Sequence, residues 1–354
     1  MSSKPTFEVP PGAVARVSII DSTLKLDALP VSYLMTPPID GFETFPTIPS
    51  WSFLVESRTG KKALFDLGVP PDIETFAPVV TERLKSFGWD VKAEKHVADI
   101  LRENKVDPAS INSVIWSHWH WDHIGDPSTF PGTTDLVVGP GFKDAFYPGY
   151  PAKPGSPVRE KDFEGRELVE IDFGTRSFKV GKFDAVDFFG DGSFYLLNTP
   201  GHAIGHLAGL ARTSANPDTF IFMGGDLCHH GGEIRPSPYL NIPSQPESYL
   251  PSTLHAPGAC PGGALFEEMN VKRGRKADEP FFDPAMGLDI GQAIQTIKDA
   301  QLADAQKDVF FIYAHDATIR GVVDLFPLPA NDWSKKGWRE KTLWAFLNDL
   351  ANVL

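Results

Sequence analysis

The sequence predicts a layered α/β fold whose sheets bring metal-binding side chains to one edge. Three observations carry this expectation. Strand and helix patterns alternate up to Trp116. Short strand patterns then recur at close intervals between residues 167 and 198, separated by Gly174, Gly181 and Asp191-Gly192, as in an antiparallel meander. Finally, four strand-like runs end in His or Asp, at 118–123, 202, 226 and 315.

The elements follow in order. Residues 13–25 read as a first strand, and 30–50, rich in Pro, Thr and Phe, as a long loop. Residues 51–56 and 62–66 form a hairpin around Arg58-Thr59-Gly60-Lys61, with Gly where the turn needs it. Asp66 closes that hairpin as either a turn carboxylate or an acceptor for a metal-bound histidine. Residues 72–87 and 92–104 have helical spacing, the second with Val97, Ile100 and Leu101 in one stripe. Residues 111–116 and 134–139 are buried strands, and 140–166 is a surface excursion. The meander contains strands at 167–172, 177–180, 183–189 and 194–198, followed by another strand at 219–223. Residues 231–286 are long and irregular and are expected to form a lid or pocket insertion, with Arg235 and Tyr239 touching substrate. A helix over 287–305, a strand over 309–314 and an amphipathic C-terminal helix over 335–352 complete the chain.

The chemistry is densest at Ser117-His118-Trp119-His120-Trp121-Asp122-His123, an H-x-H-x-D-H pattern. On extended backbone His118 and His120 point to the same side. A short turn then offers Asp122 and His123 from another direction. Imidazole and carboxylate suit zinc and similar first-row ions. Four donors in six residues are more than one open tetrahedral site needs, which suggests two neighbouring metals. Further along, His202 follows Thr199-Pro200-Gly201, where the small residue lets backbone approach closely. His206 is read as supporting a ligand rather than being one. Asp226 follows Gly224-Gly225 and is placed to bridge two cations, and His315 stands at the end of the last strand. Cys228 reads as a small buried hydrophobe. The aromatic residues Trp119, Trp121, Phe142, Phe146 and Tyr147 suggest an apolar pocket nearby.

Bulk properties limit the alternatives. A net charge of −13 over 354 residues disfavours a nucleic-acid surface. No apolar run of membrane-spanning length and no signal-like N-terminus occurs. Two cysteines, Cys228 and Cys260, make no disulfide framework, so a cytoplasmic protein is expected. A monomer and a homodimer are both compatible with such a chain.

Taken in order, His118-x-His120-x-Asp122-His123, His202, Asp226 and His315 resemble the metallo-β-lactamase superfamily, over nearly the whole stretch from Asp66 to His315. The resemblance implies a single-domain, four-layer αβ/βα sandwich. It implies one zinc ion held by His118, His120 and His202, a second by Asp122, His123 and His315, and Asp226 between them. Within the superfamily, the motif is similar to that of quorum-lactone hydrolases. Those enzymes often carry a Tyr three residues after the bridging Asp, where this chain has His229. Residue 226 is Asp, so the cysteine-containing site of many β-lactamases is absent.

The resemblance implies a hydrolase that opens a small lactone, lactam or cyclic carbamate by attack of a hydroxide held between the two metals. Asp122 or a metal-bound water would protonate the leaving group, and His229 would help stabilise the oxyanion. The alternatives from the same fold are a thioesterase acting on a carrier-bound polyketide and a non-catalytic metal-binding protein. A complete donor set disfavours the latter. Glyoxalase-II-like and nuclease chemistry fit poorly, for want of a basic C-terminal region and because of the −13 charge respectively.

Overall fold

A computed structural model describes residues 6–174, 177–244 and 263–353. Twelve strands form two six-stranded sheets. The first contains β1 (Arg16–Asp21), β2 (Trp51–Glu56), β3 (Lys62–Phe65), β4 (Ser113–Ile115), β5 (Asp135–Val138) and β6 (Leu168–Glu170), in that spatial order. The pairs β1–β2 and β2–β3 are antiparallel, and the three that follow are parallel. The second contains β7 (Phe178–Val180), β8 (Phe183–Asp187), β9 (Phe194–Asn198), β10 (Leu207–Ser214), β11 (Thr219–Met223) and β12 (Val309–Ile312), again in spatial order. It is antiparallel except for the last pair.

Side-chain alternation sorts these strands into four layers. Ile19, Phe53, Phe65, Ile115 and Val137 face Leu196, Ala211, Ile221, Met223 and Ile312 across a common core. On the outer side of the first sheet, Leu54, Leu64, Val114 and Leu136 pack with Val80 and Leu84 of the helix Pro78–Phe87 and with Val97 and Leu101 of the helix Val97–Glu103. On the outer side of the second, Leu197, Leu210, Phe222 and Phe311 pack with Ile297 and Ala300 of the helix Ile290–Asp304. Helix, sheet, sheet and helix is the αβ/βα sandwich expected from the sequence.

The topology places the strand ends. In the first sheet β3, β4 and β5 run together, so Asp66 and the segment after Ile115 emerge side by side. In the second, β9, β11 and β12 run in one direction, so His202, Asp226 and His315 leave a common edge. The two edges are joined by main chain: Leu207 N–H donates to Ser117 C=O at 2.7 Å and Trp51 N–H to Ala314 C=O at 3.0 Å.

Several elements differ from expectation. The longest strand, β10, was not anticipated, because Leu207-Ala208-Gly209-Leu210-Ala211 is rich in residues of low strand preference. Its small residues have a reason: a Cβ on Gly209 would lie 3.0 Å from the Phe194 ring and 3.3 Å from Met223 Sδ. The expected helix over 72–87 starts only at Pro78, a proline at the first turn, and stops at Gly88 with φ +68°. The helix over 92–104 is shortened to Val97–Glu103, because Asp90–Lys92 pairs as a strand with Lys25–Asp27. The C-terminal helix breaks into a turn at Trp338–Thr342 and a 3₁₀ stretch at Ala345–Val353. Part of the expected lid, 245–262, lies outside the described residues. The rest contains helices Gly231–Ile234 and Gly263–Lys272. No helix among the described residues is long and apolar enough to cross a membrane.

Candidate metal centre

The strand ends bring the seven predicted donors into two adjoining groups. His118, His120, His202 and Asp226 offer ligand atoms within 4.8 Å of one another, and so do Asp122, His123 and His315. Local backbone explains the presentation. His120 is the extended residue before a single helical turn, Trp121–Ile124, which carries Asp122 and His123. Gly201 has φ +124°, and a Cβ there would fall 2.3 Å from Ala293 N. Only glycine lets this turn press against the helix Ile290–Asp304 and leave His202 at the edge.

Asp226 lies at the centre. Its Oδ2 is 3.4 Å from His202 Nε2 and 3.6 Å from His118 Nε2. Its Oδ1 is 3.1 Å from both His123 Nε2 and His315 Nε2. His202 Nε2 also lies 3.2 Å from His118 Nε2 and 3.0 Å from His120 Nδ1. On the other side Asp122 Oδ2 is 3.5 Å from His315 Nε2.

The hydrogen bonds behind the donors fix which ring nitrogen faces inward. His315 Nδ1–H donates to Pro49 C=O at 2.8 Å, leaving Nε2 free. His123 Nδ1–H donates to Asp66 Oδ2 at 2.9 Å. Asp66 also accepts from Ser117 N–H at 2.7 Å and from Ser117 Oγ–H at 2.8 Å. Ser117 Oγ in turn accepts from His118 Nδ1–H at 3.0 Å, so Asp66 orients two of the histidines, one directly and one through serine. Of the two roles open to Asp66 from sequence, the structure selects acceptor to the histidine. His206 has the supporting place expected of it. Its Nδ1–H donates to Thr199 C=O at 2.9 Å, and its Nε2 accepts from the Asp226 N–H at 3.0 Å. Gly225, at φ +55°, gives that contact room, since a Cβ there would sit 2.9 Å from His206 Nε2.

The donor set fits divalent cations. His123 Nε2 and Asp226 Oδ1 are buried without a hydrogen-bond partner, a costly arrangement for groups with nothing to bind. Burial holds the imidazoles of His118 and His202 well below the usual range and that of His120 at about 3, which keeps them as neutral ligands. Burial also opposes charge on His123, but Asp226, Asp66 and Asp122 together raise it well above the usual range. Asp226 is lowered against its burial by His123 and His315. Such mutual stabilisation marks a place where positive charge is expected beside these carboxylates.

His229 stands next to this cluster. Its Nε2 is 3.5 Å from Asp226 Oδ2 and its Nδ1 is 3.5 Å from Glu233 Oε2. Burial disfavours its charged form, yet Asp226 and Glu233 raise it to about 10. Glu233 was not anticipated. It caps the helix Gly231–Ile234, accepting from His229 N–H at 2.5 Å and His230 N–H at 3.2 Å, while its Oε1 stays buried and unpaired. An acid three residues after His230 was the available signal.

A cavity of about 330 Å³ opens onto the cluster, reaching His120, Asp122, Asp226, His229 and His315. Trp119, Trp121 and Phe146 line it as expected, whereas Phe142 lies in the core and Tyr147 packs on Phe163 at the surface. The helix Pro78–Phe87 forms much of one wall through Val79, Val80, Arg83, Leu84 and Phe87, with Trp89 beyond it. Among the described residues of 231–286, Met286 alone lines this space. Arg235 and Tyr239 do not reach it. Arg235 is buried, with Nε and one terminal nitrogen donating to the two oxygens of Asp304 and the other donating to Leu343 C=O. Burial of that guanidinium is compensated by the carboxylate, so it fastens chain rather than substrate. Tyr239 lies at the surface.

Comparison with known proteins agrees with this geometry. A family profile described as Metallo-beta-lactamase superfamily matches residues 46–212. Gamma-lactamase FDB1 of Fusarium pseudograminearum is 44% identical over 346 residues, covering 95% of this chain and 82% of that protein. Metallo-hydrolase mfmC of Annulohypoxylon moriforme is 42% identical over 368 residues, covering all of this chain and 94% of its own length. Among solved structures, a quorum-quenching N-acyl homoserine lactone lactonase superposes with a TM-score of 0.56 at 17% identity, over 90% of this chain and 98% of that one, which is a likeness of fold. With whole-length relatives, the profile match and the sandwich in agreement, the chain belongs to the metallo-β-lactamase superfamily.

Proposed function

We propose that the chain is a metal-dependent hydrolase that opens a small cyclic ester or amide, with two zinc ions in the edge cluster. His118, His120 and His202 would hold one and Asp122, His123 and His315 the other, with the Asp226 carboxylate between the two groups. The observation that carries this reading is the Asp226 carboxylate, which turns one oxygen to each donor group. Bound there, two such cations supply an activated water nucleophile near neutral pH and a Lewis acid for the substrate carbonyl.

The chain's own groups do the rest. Asp66, Ser117, His206 and Pro49 C=O lock the donors, so little reorganisation is needed when charge develops. His229, at the cavity and beside Asp226, donates a hydrogen bond to the carbonyl oxygen as it gains charge. Asp122, whose side chain is 12% exposed at the cavity, takes the proton that the nucleophilic water gives up and passes it to the departing oxygen or nitrogen. The apolar walls exclude water and accept a hydrocarbon or aryl substituent. The γ-lactamase name of a relative at 44% identity supports a cyclic amide as a substrate class. The low cysteine count supports an intracellular enzyme.

The test is hydrolysis of a matched set, a γ-lactone, a γ-lactam, an aryl cyclic carbamate and an acyl thioester, with metal-loaded and chelator-stripped protein. Metal-dependent ring opening with the thioester inert is expected. Preferential thioester cleavage, or ring opening that survives metal removal, would overturn the reading.

A further inference from the structure

The cavity has a second polar feature that the hydrolytic cluster does not use. The helix Pro78–Phe87 turns Val79, Val80, Arg83, Leu84 and Phe87 to the cavity at helical spacing. Four of these are apolar, and among the described residues Arg83 is the one lysine or arginine in the wall. Its guanidinium lies 5.4 Å from the centre of the Phe87 ring, one turn on, and donates to Tyr33 Oη at 3.1 Å. Tyr33 is itself held edge-on to Phe87 at 5.4 Å and to Trp89 at 4.9 Å, and these two rings stack at 4.1 Å.

Arg83 is therefore oriented by an aromatic cluster, but not neutralised. Among the described residues no carboxylate lies within ion-pair distance of it, whereas Lys85 of the same helix pairs with Glu74 at 2.7 Å. A guanidinium has five N–H donors, and one is used here. Tyr33 accepts that bond, which leaves its hydroxyl proton to donate. Two donors, one of them charged, thus converge on a wall that is otherwise built from Leu26, Leu29, Ile48 and aromatic rings. Arg83 is exposed and Tyr33 half-buried, so these donors stand at the solvent-facing rim of the cavity, where a charged group on a substituent meets them.

We propose that Arg83 and Tyr33 form a subsite for a carboxylate borne on the apolar substituent of the substrate, remote from the ring that opens. This rests on the hydrolase reading for the identity of the ring, while the subsite itself is a matter of binding. Planar guanidinium matches a carboxylate in a two-point contact, and the neighbouring hydroxyl adds a third donor.

The test separates binding from turnover. The probes are a cyclopentanone bearing a 5-carboxypentyl chain, which the enzyme cannot cleave, and its primary amide. Calorimetric affinities are measured on metal-loaded wild type, Arg83→Met, which keeps the side-chain stem, and Tyr33→Phe. The acid is expected to bind wild type about tenfold or more tightly than the amide, as suits a charge-assisted contact. Arg83→Met should remove that preference and leave amide affinity unchanged, and Tyr33→Phe should reduce it by about threefold. Equal affinity of acid and amide for wild type, or equal loss of both in Arg83→Met, would overturn the subsite. The corresponding lactone pair, run in parallel, judges the hydrolase reading: binding discrimination without ring opening would sustain the subsite and defeat that reading alone.

Discussion

Asp66 is the residue through which the centre is most sharply tested, because it touches no substrate and is not one of the seven donors. It is buried, and it accepts from Ser117 N–H at 2.7 Å, Ser117 Oγ–H at 2.8 Å and His123 Nδ1–H at 2.9 Å. Asp66→Asn is the informative variant. The backbone there has φ +61°, a conformation asparagine also adopts, so strain does not confuse the result. The amide oxygen still takes the Ser117 N–H. The amide nitrogen must then face His123 Nδ1, which turns from donor to acceptor and moves its proton to Nε2. That atom faces Asp226 Oδ1 at 3.1 Å, where the cation is proposed to bind. Losing the acceptor behind a ligating histidine costs about 10–100-fold in metal affinity, or about 1.4–2.7 kcal/mol. The shape survives, but the metal-free protein also loses a carboxylate that helps stabilise charged His123, which should cost about 1.5–3 kcal/mol. Equilibrium dialysis against buffered zinc, with thermal melting of the metal-free protein, measures both. Weakened binding at one of two sites is expected. Wild-type zinc affinity at both sites in Asp66→Asn would refute the tautomer reasoning.

Three further outcomes are expected. Glu233→Gln keeps an acceptor for the N–H groups of His229 and His230 but removes the charge beside His229. Turnover should fall by about tenfold or more with metal content and KM unchanged, and an unaltered kcat would leave Glu233 with capping alone. Gly201→Ala drives a Cβ into Ala293 and should lower stability by about 2 kcal/mol or more, visible as a depressed melting temperature. Arg235→Ala strands the buried Asp304 carboxylate and should cost about 3–5 kcal/mol in denaturant unfolding, and a change confined to KM would instead return Arg235 to the substrate.

The side chains that the fold gathers into the two groups were legible because their signal is local: a histidine or aspartate directly after an apolar run, beside a glycine or tight turn. The same holds for His206 and for Asp66, although sequence left Asp66 between two roles, since its acceptor function depends on Ser117 and His123 across a parallel strand pair. What was not legible depends on distant partners. Arg235 reads as a substrate contact until Asp304, 69 residues on, is seen to hold it. The apolar face of the helix Pro78–Phe87 looks the same in sequence whether it covers core or lines a cavity, and here it does both through Val80 and Leu84. β10 escaped notice because tight packing against Phe194 and Met223 selects glycine and alanine where strand patterns call for branched residues. Glu233 was hidden by its ordinary place as a helix-capping acid.

The most direct measurement of the central claim is metal stoichiometry followed together with ring opening. Metal-free protein is titrated with zinc, bound ions per chain are counted by native mass spectrometry, and γ-lactone and γ-lactam opening are assayed at each step. Two ions per chain are expected, with activity rising as the second binds, and Asp226→Asn should weaken retention of both. Full activity with a single ion, or undiminished ion binding and turnover in Asp226→Asn, would contradict the two-cation centre built around that carboxylate.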